Sequence, residues 1–257
     1  QSSQFDFGFH QYDAYRFTLK NMRYYKTNTP FTQVAFNIGN KKEQNIDIIL
    51  AQNFKKNINV GLDFRILKSP GYLLHQKTAN SNFYIYTQYH STDKRYVFLI
   101  NYINNRFKYE ESGGIYNKEI LYSNDVSSPN QYIFNLSGSN KVYKESCIQI
   151  KQTYTPFKYK YNPKDSTNNS KNFKYYLGTI SHDITFNKFS EQYFDYNPMS
   201  MIYYNRFDSS RTLDSTHYYH LQNTLSLTNI NSINSKPFLF YKLSYSYSII
   251  KIHQSDT

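Results

Sequence analysis

Cysteine is all but missing. Cys147 stands alone, so the chain has no intramolecular disulfide framework, which removes the small secreted scaffolds stapled by such bridges and leaves the cell envelope open. Long apolar runs are missing too. No stretch approaches the ~20 apolar residues that a helix needs to cross a bilayer, and the mean hydropathy is −0.74. A helical membrane protein is thereby excluded; a β-barrel is not, because its lumen face and loops are polar and each spanning strand needs only ~9 to 11 residues. No shift of composition divides the 257 residues, and the length suits one all-β domain over 1–257.

Tryptophan is absent, yet aromatic residues make up 19% of the chain through 29 Tyr and 20 Phe. That share is heavy for a soluble enzyme and usual for the aromatic girdles of bilayer-spanning barrels. Acidic residues are also few, 18 against 30 Lys and Arg, for a net charge of +12. Asn, Lys, Ile, Tyr and Phe are the residues of A- and T-rich codons, so part of both excesses reflects codon drift. The positions of the aromatics carry more information than their number.

Between Asn57 and Leu67 the chain alternates strictly. Ile58, Val60, Leu62, Phe64 and Ile66 share one parity; Asn59, Gly61, Asp63 and Arg65 share the other. Successive strand side chains point to opposite faces, so this is a β-strand with one apolar and one wet face. Either a bilayer-spanning strand or a one-sided soluble sheet produces it. Strands with turn chemistry between them are expected at 14–25, 31–38, 44–54, 57–68, 81–91, 95–108, 131–137, 142–155, 172–186, 200–207, 217–228 and 237–250. Hairpin turns are expected at Gly39 to Lys42, Lys55 to Asn57 and Ser91 to Lys94, with long polar loops at Lys68 to Asn82, Glu110 to Asn130, Asn162 to Asn172 and Asn187 to Ser200. Short turns at one end and long loops at the other are the habit of outer-membrane barrels. The run Val97 to Ile100 breaks the alternation and suits either a strand buried on both faces or one lying where a plug covers the lumen wall; in a non-conducting barrel it would pack on a plug or a neighbouring chain.

The segment Tyr24 to Ile115 resembles the putative porin family of Bacteroidota outer membranes. The matching residues are Tyr25-Lys26-Thr27-Asn28-Thr29-Pro30-Phe31-Thr32, Gly39 with Lys42-Glu43-Gln44, Ala51-Gln52-Asn53, and Asn59-Val60-Gly61-Leu62-Asp63-Phe64-Arg65. They continue with Ser69-Pro70-Gly71-Tyr72, Gln76-Lys77-Thr78, Asn82-Phe83 and Glu110 through Gly113-Gly114-Ile115. Weaker continuations lie at Thr179 to Asp183, Tyr193 to Asp195 and Thr212 to Asn223. Ser112 stands where the family usually shows Asn. The resemblance implies an antiparallel transmembrane β-barrel of the outer-membrane type, about twelve strands of which fall in this chain, and a place in the bacterial outer membrane. It implies no catalytic residue. Gln1 instead of Met, and the polar end Ser255-Asp256-Thr257 in place of a terminal aromatic, lead to the expectation of a partial barrel, the N-terminal portion of a longer one.

On this reading Asp47, Asn59, Asp63, Arg65, Lys151, Asp183 and Lys242 face the lumen, and Ile58, Val60, Leu62, Phe64 and Ile66 face lipid. Asp63 and Arg65, two apart on one strand, form a lumen ion pair. His217 and His220 with Asp214 offer metal-ligand chemistry, but an i, i+3 pair on a strand points to opposite faces, so no metal and no cofactor is expected. No Ser has a His partner at a fixed spacing, and no enzyme is expected. Lys158, Lys160 and Lys164 interleave with Tyr159 and Tyr161, a combination that suits nucleic acid; a solvated loop touching lipopolysaccharide phosphates is preferred, and no nucleic-acid partner is expected. The expected partners are outer-membrane lipid, lipopolysaccharide and small hydrophilic solutes. Three functions stay open: a passive pore with a mild anion preference, a non-conducting barrel serving envelope assembly or binding, and a soluble or surface β-sandwich.

Overall fold

A computed structural model of the chain describes residues 12–117, 119, 131–156, 178–198, 211–228 and 241–256. Among the described residues nine strands form one antiparallel sheet: β1 (Phe31–Ile38), β2 (Gln44–Phe54), β3 (Ile58–Ser69), β4 (Thr78–His90), β5 (Tyr96–Glu111), β6 (Ser139–Tyr154), β7 (Thr179–Asp195), β8 (Thr212–Thr228) and β9 (Lys242–Asp256). They run as an uninterrupted meander, each strand bonded to the next in sequence, and the sheet is open: β1 and β9 are its two edges. No helix among the described residues is long and apolar enough to cross a membrane.

Strict alternation sorts each strand's residues onto two faces, and the register carries that sorting across the sheet. One row reads Thr32, Leu50, Leu62, Ile85, Tyr102, Ile148, Phe186, Leu221, Ile249, apolar on all but the first strand. A parallel row two residues along begins Val34, Ile48, Phe64, Phe83 but turns polar at Asn104, Ser146 and Lys188. The next begins Phe36, Ile46, Ile66 and turns polar at Ser81, Arg106 and Lys144. On β8 and β9 the apolar residues extend the opposite way, to Leu225, Leu227, Tyr245 and Leu243. The apolar band therefore crosses the hydrogen-bonded rows obliquely. That slope is what tilted strands need if a band is to stay level around a barrel. The band is bare: Val34 is 65% exposed, Ile38 67% and Leu243 65%.

The opposite face is covered over its central strands. Residues 12–30, ahead of β1, lie across it and close two aromatic clusters. Phe17 and Met22 pack with Tyr84, Tyr86, Ile103 and Cys147; Tyr12 packs with Phe107, Tyr143, Phe189 and Tyr218. Tyr12 stacks on Tyr109 at 4.6 Å between centroids, and Phe17 meets Tyr84 edge to face at 4.9 Å. One segment thus gathers inner-face residues of strands β4 to β8.

Seven of the expected strands overlap β1 to β5, β8 and β9, with β1 and β2 matched at both ends, β8 beginning before the expected strand and β9 running past it; 237–240 lies outside the described residues. The stretch 14–25 is not a strand. Turns at Tyr12 to Arg16 and Thr18 to Met22 interrupt it, and Asn21 and Thr18 cap one another's amides. Residues 131–137 make a single bridge, Phe134 to Ile115; 200–207 lies outside the described residues. The expected strand 142–155 is β6, shifted by a few residues, and 172–186 is β7, which runs on through Asn187 to Asp195 where a loop was expected. That stretch is polar on both parities, broken by Phe189, Tyr193 and Phe194, yet its backbone pairs in register with Ser139 to Cys147.

Loop lengths do not segregate by end. At the end holding the Gly39 turn lie Pro70 to Lys77, Ser112 to Gly138 and Tyr196 to Arg211; at the other end the tight turns after β2 and β4 share the rim with the connections at 155–178 and 229–241. The three expected hairpins are present. Lys42, Lys55 and Lys94 each take a left-handed conformation there, with φ of 64°, 58° and 56°. In the β4–β5 turn the Ser91 hydroxyl donates to Asp93 at 2.5 Å, and the Arg95 amide donates to the same carboxylate at 3.1 Å. These bonds hold the Asp93 carboxyl below its usual pKa.

Gly61 is the one strand glycine with a steric reason. A Cβ there would lie 2.4 Å from the Tyr86 ring, directly opposite on β4. Gly61→Val is expected to cost about 1–3 kcal/mol in urea unfolding of the folded, detergent-bound protein. Unchanged stability would show that Tyr86 yields freely.

Candidate inner-face site

What seats residues 12–30 is mainly recognition of their backbone. In an extended chain the N–H and C=O of one residue point the same way, and those of the residue two along point that way again. Tyr84 and Tyr86, also two apart on β4, match this spacing. The Tyr84 hydroxyl accepts from the Arg23 amide and donates to the Arg23 carbonyl, both at 3.3 Å. The Tyr86 hydroxyl accepts from the Tyr25 amide at 2.7 Å and donates to its carbonyl at 3.3 Å.

On β5, Asn105 does the same with an amide. Its Oδ1 accepts from the Phe17 amide at 2.9 Å, and its Nδ2 donates to the Phe17 carbonyl at 2.8 Å. Asn82 donates to the Tyr15 carbonyl at 3.1 Å, and Asn101 donates to the Tyr24 hydroxyl at 2.8 Å. Asn82, Tyr84, Tyr86, Asn101 and Asn105 are all at most 1% exposed, so each bond is made where water does not compete. Burial raises the Tyr24 hydroxyl above its usual pKa.

Arg16 is the segment's charged anchor. Its guanidinium donates to the Tyr143 hydroxyl at 3.0 Å, and ion-pairs with Asp13 at 3.1 Å and Glu145 at 3.7 Å. Burial works against its charge, but Glu145, Tyr143 and Asp13 outweigh it and its pKa is raised. Glu145 in turn accepts from Asn105 at 3.0 Å, which joins the ionic anchor to the Phe17 clamp.

Register places Asp47, Asn59, Asp63, Arg65, Lys151, Asp183 and Lys242 on this covered face, and Ile58, Val60, Leu62, Phe64 and Ile66 on the other. Their partnerships differ from the expected ones. Arg65 pairs with Asp47, directly opposite on β2, at 2.7 Å, and not with Asp63. A cross-strand partner lies closer than a same-face neighbour two residues along the strand. Arg65 also lies over the Phe17 ring at 4.9 Å.

Asp63 is 5% exposed, and its Oδ1 is buried with no hydrogen-bond partner. Asn59 donates to Asn53 at 2.5 Å, and Asn53 donates to the Thr27 carbonyl. Lys151 lies opposite Asp183, but Gln149 donates to that carboxylate at 2.8 and 3.0 Å, and Thr185 at 3.1 Å. Lys242 lies apart, opposite Thr228 on the edge strand.

Between the segment and strands β1 to β3 is a cavity of about 320 Å³, whose charged lining is Arg16, Arg23, Asp47, Asp63 and Arg65. Charges of both signs thus face one small space beside the unpartnered Asp63 oxygen. His217 and His220 fall on opposite faces, as strand parity requires: His217 lies in the row of Lys144 and Ser190, His220 in that of Cys147 and Asn187. The Lys158 to Lys164 stretch lies outside the described residues. Val97 and Leu99 share the covered face, while Phe98 and Ile100 share the bare one.

Reasoning from the sequence missed Tyr84, Tyr86, Asn105, Tyr143 and Glu145. On hydropathy a tyrosine counts with the apolar parity, which hides an inward phenol. The signal was the run Asn80, Asn82, Tyr84, Tyr86, all hydrogen-bonding and all of one parity.

An open meander of long antiparallel strands, an oblique apolar band outside and a charged, segment-filled face inside together suit a barrel wall. A family model described as putative porin matches residues 1–255. The chain belongs to that family. Membership places it among porin-like β-barrels of outer membranes in general, and the match extends well past the stretch whose motifs show the resemblance. Comparison with curated proteins and with solved structures finds no match.

Asn105→Ala removes both bonds to Phe17 and the bond to Glu145. The expected loss is about 1–3 kcal/mol, with faster hydrogen exchange at the amides of residues 15–25. Unaltered protection there would mean that the clamp does not hold the segment.

Proposed function

We propose that this chain forms the wall and internal constriction of a passive aqueous channel for small hydrophilic solutes. The observation that carries this reading is the division of one sheet into a bare apolar band and a face crowded with charge, amide and phenol. On this reading Asp47, Asn59, Asp63, Arg65, Lys151, Asp183 and Lys242 line the lumen, Ile58, Val60, Leu62, Phe64 and Ile66 meet lipid, and residues 12–30 narrow the passage.

Selectivity follows from the charges around that passage. The inner face carries more acids than the sequence suggested: Glu111, Glu145, Glu191, Asp195 and Asp214 join Asp47, Asp63 and Asp183, while Lys141 joins Arg65, Lys151 and Lys242. Lys141 and Glu191 cancel one another at 2.5 Å. The wall by itself leans acidic. Residues 12–30 bring Arg16, Lys20, Arg23 and Lys26 against Asp13 alone, which offsets most of that acidic excess, so the passage is close to neutral and the mild anion preference expected from the sequence gives way to weak selectivity.

A second reading, a non-conducting barrel with a binding or assembly role, draws on the number of bonds that pin residues 12–30. Planar-bilayer recording separates the two. Intact protein is expected to conduct with weak selectivity, and deletion of residues 12–25 to raise conductance and move reversal potentials toward cations. Insertion without conductance would favour the second reading, and strong cation selectivity of the intact chain would overturn the charge balance.

The assignment of faces has its own test. Leu62→Arg places a charge in the middle of the bare band and is expected to weaken folding into bilayers by ~2–4 kcal/mol, whereas Asn59→Arg, on the covered face, leaves insertion unchanged. Equal insertion of Leu62→Arg and wild type would mean that the faces are reversed.

A further inference from the structure

Beside the apolar band, on the same bare face, the register assembles a cluster of cations. Arg106 on β5 lies directly opposite Lys144 on β6. Lys108 follows Arg106 two residues along the strand, and Lys188 on β7 is diagonal to Lys144, whose own partner is Ser190. Lys188 lies over the Tyr219 ring at 5.7 Å, and Tyr219 has Lys251 opposite it on its other side. All five cations are exposed, and none forms an ion pair among the described residues. No acidic residue occupies the rows of Lys108, Arg106 and Lys188 on this face.

Like charges directly opposite in an antiparallel pair destabilise it, so this arrangement calls for an anion from outside the chain. The surface is too broad for a single phosphate: strands lie ≈ 4.8 Å apart, and the cluster spans β5 to β9. Its place is equally informative. The rows of Arg106 and Lys188, apolar on β1 to β3, become cationic on β5 to β9, at the border of the band where a bilayer's head groups would lie.

We propose that Arg106, Lys108, Lys144, Lys188 and Lys251, with Tyr219, form an outward-facing site for a multiply phosphorylated lipid, the phosphorylated glucosamine head of lipopolysaccharide. The site rests on the reading that the bare face meets the membrane, and adds a specific lipid contact to it. The cations neutralise the phosphates while the adjoining apolar band takes the acyl chains, so charge and grease are presented in the order in which that lipid carries them.

The test uses the full chain folded into phosphatidylcholine vesicles and detergent micelles, with binding of fluorescent lipopolysaccharide, its dephosphorylated form and soluble tripolyphosphate measured in parallel. Wild type is expected to hold the phosphorylated lipid and release it when the phosphates are removed. The pair Arg106→Gln and Lys144→Gln is expected to lose affinity by roughly tenfold or more, with insertion into phosphatidylcholine unchanged. Lys77→Gln, the same charge lost from a nearby loop, is expected to bind as wild type does. Equal binding by wild type and the double variant, or tripolyphosphate held as tightly as the lipid, overturns the site while leaving the membrane reading intact. Failure of the wild type to insert into vesicles at all overturns the membrane reading and the site together.

Discussion

Every feature of this molecule depends on one constraint: a residue in an antiparallel ladder is committed to a face, and the commitment passes unbroken from β1 to β9. A slip of one residue in any pair would carry Asp63, Tyr84 and Asn105 to the side where Leu62, Ile85 and Tyr102 now stand. The meander has no crossover that would reset parity, so the apolar band and the polar inner face are two aspects of one register. The slope of the band across the rows ties that register to a tilted wall.

The inner face poses a different problem. A segment laid across a sheet, instead of along its edge, has no ladder to complete, and its amides and carbonyls still need partners. Tyr84, Tyr86, Asn82 and Asn105 supply them from side chains that have both a donor and an acceptor. The aromatic groups around Tyr12 and Phe17 add packing but leave room beside β1 to β3, where opposite charges line a cavity next to the unsatisfied Asp63. A buried carboxylate oxygen without a partner costs stability, and its neighbour Arg65 is held by Asp47.

Local patterning made much of the fold readable. Ile58 to Ile66 and Leu243 to Ile249 alternate without interruption, and the turns at Gly39, Lys55 and Ser91 are short and polar, so those strands and hairpins could be placed closely. Misreadings arose where hydropathy is a poor guide to hydrogen bonding. Residues 14–25 look strand-like because they are rich in aromatic and apolar side chains, yet two turns break them and side chains pair their backbone. Asn187 to Asp195 looks loop-like because it is polar, yet β6 pairs it residue by residue. The faces of Asp47, Asn59, Asp63 and Arg65 followed from parity alone. Their partners did not, because the Asp47–Arg65 contact depends on cross-strand register, which no single strand records.

Binding by backbone makes unequal demands on the two sides of the contact. Tyr84 and Tyr86 hold Arg23 and Tyr25 through atoms that every residue except proline possesses, so these bonds make no demand on side-chain identity at 23 and 25, where cavity lining by Arg23 and packing by Tyr25 set the only limits. The two phenols have no such freedom: even Phe, which keeps the ring, removes the one oxygen that serves both amide and carbonyl. At those two positions the hydrogen bonds therefore survive a change of side chain that their seat on β4 does not, the reverse of a contact in which a pocket reads side chains.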